Sequence, residues 1–163
     1  MKTIIGIDPG PVESAYVIWD GETILDFGKV ENGELLSRLN LGSGHCNILV
    51  IEKVACYGMA VGESVFETVF WSGRFAQAWL RDKRENEFSR IPRSDVKMHL
   101  CGSMRAKDGN IIQALKDRFE PGLQPRQRPK GILKGITKDC WQALAVCVTF
   151  WDNNNGHEAH RKE

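Results

Sequence analysis

Apolar positions in this chain fall into two rhythms. Short runs rich in β-branched residues cover 3–8 (Thr3-Ile4-Ile5-Gly6-Ile7-Asp8) and 48–53 (Ile48-Leu49-Val50-Ile51-Glu52-Lys53), and such runs read as buried strands. Residues 14–19 and 23–30 read as two further strands, and Asp20-Gly21 between them is a two-residue hairpin signal. Residues 95–100 complete five predicted strands. Helical spacing marks 34–39, then 64 to about 84, then 106–119 with Ile111, Ile112, Leu115 and Phe119 on one side, then 137–151. Gly73 in the middle of the second of these helices costs about 1 kcal/mol relative to Ala. It marks either close approach of another backbone or a poor helix. Residues 120–135 hold three prolines and three glycines and are read as an irregular loop.

The predicted order is βββ-α-β-α-β-α-α. An antiparallel meander followed by crossover connections gives a mixed five-stranded α/β sheet with helices on both faces. The strands at 3–8 and 48–53 are the expected buried central pair. The organised domain is expected over 1–152, and the polar stretch 153–163 as a mobile tail.

Composition narrows the class. A chain of 163 residues is most simply one domain with a real core. The formal net charge is +1, so nothing global announces a nucleic-acid binder. The charge is uneven, however. Arg126, Arg128, Lys130, Lys134 and Lys138 follow one another with no acid between Pro121 and Lys138. Such a strip binds phosphates even in a near-neutral protein, or is simply a solvated loop. The five cysteines form no C-x-x-C and read as free thiols in a reducing compartment. The short apolar start does not fit a signal peptide, and no run approaches transmembrane length. A cytoplasmic protein without membrane partners is expected.

The candidate chemistry lies where apolar runs end. Asp8 and Glu52 each close a buried run, and Asp139 opens the last helical stretch. Carboxylates at buried strand ends are costly to ionise alone and repel one another side by side, which a divalent cation resolves. Hard oxygen donors suit Mg²⁺ or Mn²⁺, expected as two ions per site, with Asp8 bridging, Glu52 holding one and Asp139 the other. Taken singly, Asp8 belongs to an Asp-Pro-Gly turn and Asp139 to a helix start.

Ile4-Ile5-Gly6-Ile7-Asp8-Pro9-Gly10 resembles the opening of RuvC-type Holliday junction resolvases, in the ribonuclease H-like superfamily. Val50-Ile51-Glu52-Lys53-Val54 is similar to their second acidic strand. The stretch from Lys138 to Val146 is similar to their C-terminal helix, especially in phage-encoded versions. The resemblance implies a ribonuclease H-like sheet of three antiparallel strands followed by two parallel ones. It implies a homodimeric crossover junction endodeoxyribonuclease that cuts four-way DNA by metal-activated water, leaving 5′-phosphates. The family usually carries a second acid one helical turn after the first on the last helix, where this chain has Gln142. Either Gln142 is a weaker ligand or three acids suffice. Lys107 matches a family lysine beside the active site and is a candidate for the scissile phosphate, against the reading of an exposed first-turn lysine. Lys97 is a similar candidate. Asp108 reads as an extra active-site acid or, in preference, as a first-turn dipole partner. Tyr57, after Glu52, is placed to stack on an unpaired base or to fill a loop. Phe66, Phe70, Trp71 and Phe75 surround much of one helix, which suits a dimer seam or burial on two sides. Two rival functions remain: a nuclease for other branched DNA or RNA–DNA hybrid, and a non-catalytic junction-binding protein.

Overall fold

The computed structural model describes residues 2–41, 46–56, 58, 60–81 and 86–159, with side chains in the last helix described as far as Asn154. The elements run β1 (Ile4–Asp8), β2 (Glu13–Trp19), β3 (Ile24–Glu31), α1 (Asn32–Leu41), β4 (Ile48–Lys53), α2 (Glu63–Leu80), β5 (Glu87–Pro92), α3 (Arg93–Cys101), α4 (Asp108–Phe119) and α5 (Cys140–Ala159).

The strands form one sheet in the order β3-β2-β1-β4-β5. β1 pairs antiparallel with β2 and β2 with β3, while β1–β4 and β4–β5 are parallel. This is the expected mixed sheet, with β1 at its centre. Alternation along the strands divides the core in two. Ile4, Ile48 and Val50 join Val96, Ile111, Leu115 and α5, which is buried at every position from Cys140 to Thr149, on one face. Ile5, Ile7, Leu49 and Ile51 join Leu35, Leu39, Phe75 and Trp79 from α1 and α2 on the other. Helices therefore cover both faces.

Three expectations change. Residues 95–100 are not a strand: they lie in α3, and β5 comes earlier. The alternating Val96-Lys97-Met98-His99-Leu100 imitates a strand, but Val96 and Leu100, four apart, meet the same core. β5 was obscured by its edge position, where Glu87, Arg90 and a terminal Pro92 are tolerated. The last helix also runs to Ala159, past Trp151 and into the segment expected as a tail, with the Asn154 amide donating to the Phe150 carbonyl at 2.8 Å. The β2–β3 link spans 20–23 rather than two residues. Asp20 Oδ1 accepts the Glu22 and Thr23 N–H groups at 2.9 and 2.6 Å, an Asx turn that closes the wider link.

One close approach positions the rest. At Gly6 a Cβ would stand 2.4 Å from the Ala143 carbonyl and 2.4 Å from Cys147 Sγ. Only glycine lets α5 lie this near the middle of β1, and that brings the start of α5 over the end of β1.

Candidate active site

Asp8 and Glu52 project from the same sheet face for a simple reason. Ile4, Gly6 and Asp8 alternate onto the α5 side, as do Ile48, Val50 and Glu52 on the parallel neighbour. Both carboxylates stand at the carboxyl-terminal edge of their strands, where open α/β sheets place their ligands. Asp139 reaches this edge from the turn immediately before α5. That turn contains Lys138 at φ 47°, the one non-glycine residue with positive φ among those described. Sparsely populated backbone of this kind persists where surrounding structure holds it.

The loop after Asp8 is anchored from below. Gly10 N–H donates to Ser14 Oγ at 3.1 Å, Ser14 Oγ donates to Asn32 Oδ1 at 2.6 Å, and Asn32 Nδ2 donates to the Gly10 carbonyl at 2.9 Å. Ser14 and Asn32 are buried. This buried triad fixes the exit of the chain from β1 and hence the direction of Asp8.

Two cations reach the acids. Arg93, the first residue after β5, donates from Nη1 to both oxygens of Glu52 at 2.9 and 3.1 Å, and from Nη2 to Asp108 Oδ1 at 2.6 Å. Lys29 Nζ donates to Asp139 Oδ2 at 2.8 Å and lies 3.9 Å from Glu13. Lys29 is carried there by strand register. It pairs with Ala15, which pairs with Asp8, so one row across β1, β2 and β3 holds Asp8, Ala15 and Lys29. Asp8 itself accepts no side-chain hydrogen bond or ion pair among the described residues. Burial, then the neighbouring charge of Glu52, pushes its carboxyl up to about 7, with Asp139 and Asp108 adding and Arg93 opposing. Burial also raises Glu52, against the pull of Arg93. Burial disfavours the Arg93 cation, but Glu52 and Asp108 outweigh it and raise its pKa. Lys29 is raised by its bond to Asp139.

The structure thus brings Asp8, Glu52 and Asp139 to one edge, with Asp8, Lys29 and Asp139 lining a shared cleft of about 300 Å³. Among the described residues no three acid, histidine or cysteine side chains are drawn together closely enough to enclose an ion as they stand. Gln142, in the first turn of α5, is 5% exposed and its Oε1 has no hydrogen-bond partner among the described residues. Lys107 is an exposed residue at the start of α4, where its N–H donates to Asn110 Oδ1 at 2.8 Å. Its neighbour Asp108 is the second partner of Arg93 and so belongs to the site's charge network rather than serving only the helix dipole. Lys97 lies on α3 instead of a strand, close enough for its charge to act on Glu52.

The basic residues Arg126, Arg128, Lys130, Lys134 and Lys138 are all exposed. Their loop is organised beneath them. Buried Lys116 donates to the Pro125 and Gln127 carbonyls at 2.8 and 3.0 Å, while Glu120 accepts the N–H groups of Lys130, Gly131 and Leu133. Tyr57 lies outside the described residues. Asp152 is paired with Arg118 and His99 and takes no part in the site.

Arg93 and Lys29 were not anticipated from sequence. Lys29 was findable: it stands two residues after Phe27, which faces the α5-side core. Arg93 was hidden by the misplaced fifth strand.

No family model matches the chain, and no curated protein matches it. Among solved structures, Thermus thermophilus RuvC superposes with a TM-score of 0.69 at 17% identity, covering 94% of this chain and 96% of that one. T. thermophilus RuvC in complex with Holliday junction substrate also gives 0.69, at 16% identity, covering 91% of this chain and 92% of that one. Sequence likeness this low speaks to architecture alone, and by architecture the chain has a RuvC-type, ribonuclease H-like fold.

Proposed function

We propose that this chain is a metal-dependent, structure-selective endodeoxyribonuclease that resolves four-way DNA junctions by paired strand cuts leaving 5′-phosphates. The observation that carries this reading is Asp8: a desolvated carboxylate without a side-chain partner among the described residues, at the edge of the central strand, next to Glu52 and Asp139. In a RuvC-type fold an unpaired acid there favours a cationic ligand. The donor set fits, since every candidate is a hard oxygen: Asp8, Glu52, Asp139 and the orphaned Oε1 of Gln142. These four residues would hold Mg²⁺ or Mn²⁺, expected as two ions. Divalent metal there would supply water activation and charge stabilisation at the attacking and leaving oxygens.

The chain's own residues supply positioning. Lys107 and Lys97 lie on the side of Glu52 and Asp108 and would hold phosphate oxygens. The pinned loop offers Arg126, Arg128, Lys130, Lys134 and Lys138 to the DNA backbone. Asp8-Pro9-Gly10, clamped through Ser14 and Asn32, keeps the central carboxylate aimed.

The second copy that paired cuts require would dock on α2. Phe75 is buried in the monomer core, but Phe66 and Phe70 are 64% and 58% exposed, so the helix is not covered on both sides within the described chain. Gly73 lies on the same outer side with nothing within 4 Å of a Cβ position, so no neighbouring backbone among the described residues explains it. Sedimentation analysis of Phe66→Asp/Phe70→Asp should show monomer where wild type sediments as dimer. A monomeric wild type would remove the paired-cut geometry. No helix among the described residues is long and apolar enough to cross a membrane.

The rival reading, a non-catalytic junction binder, draws on Gln142 and on the cations resting on Glu52 and Asp139. Incubating four-way junction, flap, RNA–DNA hybrid and linear duplex with wild type and Asp8→Asn, in Mg²⁺, Mn²⁺ or EDTA, decides between them. Metal-dependent junction cleavage lost in Asp8→Asn, with binding retained, is expected. Junction binding without cleavage in any metal would establish the rival.

A further inference from the structure

Arg93 rests on one of the carboxylates that would hold the metal. One guanidinium nitrogen donates to both oxygens of Glu52, and the side chain of Glu52 is only 11% exposed. A carboxylate offers about four lone-pair sites, and this contact takes one on each oxygen, so a cation at Glu52 would share both oxygens with the guanidinium. A divalent ion on Glu52 would also meet the positive charge of Arg93 at close range, so the two cations compete for this carboxylate. Removing arginine from a buried carboxylate is costly unless each charge finds a new partner.

Both new partners are within reach of the geometry. Arg93 is already held by its second nitrogen to Asp108, whose side chain is 62% exposed. It also borders an open cavity of about 340 Å³, shared with Ser94, Lys97 and Met104. An arginine tethered at the mouth of such a cavity has room to turn toward an anion arriving from solvent. The planar fork suits a phosphodiester better than a lysine does. Lys29 repeats the arrangement on the other flank more weakly. It engages one oxygen of Asp139.

Resting on the nuclease reading above, we propose that Arg93 is an exchangeable counter-ion. It holds Glu52 in the metal-free site, yields that carboxylate when the divalent ion binds, and then positions the substrate by gripping a phosphate of the DNA. Arg93 thereby couples metal binding to DNA binding, each favouring the released arginine. Lys29 makes the smaller version of the same exchange at Asp139.

The test uses metal and DNA binding without turnover. Mn²⁺ is titrated into DNA-free wild type, Arg93→Gln, Arg93→Lys and Lys29→Gln, followed by calorimetry and electron paramagnetic resonance. Junction affinity is measured for the same proteins in Ca²⁺ and in EDTA, and folding is checked by circular dichroism. Removing an internal competitor should tighten Mn²⁺ binding about fivefold in Arg93→Gln and less in Lys29→Gln, while junction affinity in Ca²⁺ falls about tenfold in Arg93→Gln and changes little in EDTA. Arg93→Lys keeps the charge but loses the fork, so it should bind Mn²⁺ more tightly than wild type and decides the matter if Arg93→Gln does not fold. Unchanged or weaker Mn²⁺ binding in the folded Arg93 variants would overturn the proposal and leave Arg93 a fixed structural partner of Glu52. An equal loss of junction affinity in Ca²⁺ and EDTA would overturn it too. Failure of wild type to bind Mn²⁺ through Asp8, judged against Asp8→Asn, sinks the nuclease reading itself. Mn²⁺ bound by wild type but not tightened in the Arg93 variants sinks only the exchange.

Discussion

Asp8 concentrates the tension in the site into one side chain. Its ordinary carboxyl value of 3.8 is raised to about 7 by burial and by Glu52. The folded state therefore binds more protons than the unfolded state between those values. Stability of the metal-free protein is greatest below about pH 4 as far as this group is concerned, and is lost as pH rises through about 7. The raised Glu52 acts in the same direction. In EDTA, the melting temperature of wild type relative to Asp8→Asn should fall steadily across that window, and Mg²⁺ should restore it. Parallel melting curves for the two proteins at every pH would show that Asp8 is not strained in this way. Gln142 is the other residue under tension, since its buried Oε1 lacks a partner. It lies one turn from Asp139 and on the same helix face. Gln142→Asp should lower the Mg²⁺ needed for half-maximal junction cleavage. An unchanged or raised midpoint would make the residue a spacer, and weaker junction binding in Ca²⁺ would assign it to DNA instead.

At the scale of elements, the contact of β1 with α5 decides whether there is a site at all. Gly6→Ala places a methyl group onto the Ala143 carbonyl and Cys147 Sγ, and neither backbone nor a fully buried thiol can move aside freely. Overpacking of this kind costs about 1–3 kcal/mol. For a chain of this size that lowers the melting temperature by about 3–10 °C. Shifting α5 outward also carries Asp139 and Gln142 away from Asp8, so metal affinity should fall in the same variant. Normal Mn²⁺ affinity with lowered stability would show that α5 adjusts without moving its start.

For the whole molecule, function depends on a surface that net charge conceals. The balance is close to neutral, yet Arg126, Arg128 and Lys130 stand exposed with no ion pair among the described residues. Lys116 and Glu120 fix the loop backbone on either side of them, so their spacing is preorganised and little ordering entropy is lost on meeting a phosphate backbone. Replacing Arg126, Arg128 and Lys130 with Ala should weaken junction binding and reduce the slope of log K against log salt by about 0.9 per lost contact. An unaltered slope would mean that the loop touches only solvent.

The elements that sequence determined by itself are those whose pattern repeats one physical rule. β1 over 4–7 and β4 over 48–51 carry no polar side chain because both faces are covered, and the acids that follow, Asp8 and Glu52, stand out against that background. α4 carries a helical stripe that packing preserves, and α5 is buried at every position from Cys140 to Thr149. Asp8, Glu52 and Asp139 could thus be picked out as a group before any coordinates. Elements whose pattern is set by an edge or by a neighbour were not legible. β5 looks polar because it lies at the sheet margin, and α3 looks like a strand because five alternating residues satisfy both periods. Only the tertiary structure decided what meets the acids. Lys29 arrives through the register of three strands and Arg93 through the true position of β5. Ion pairs between residues 110 and 41 positions apart leave no local signature, because charge acts through space while sequence pattern records only the faces of single elements.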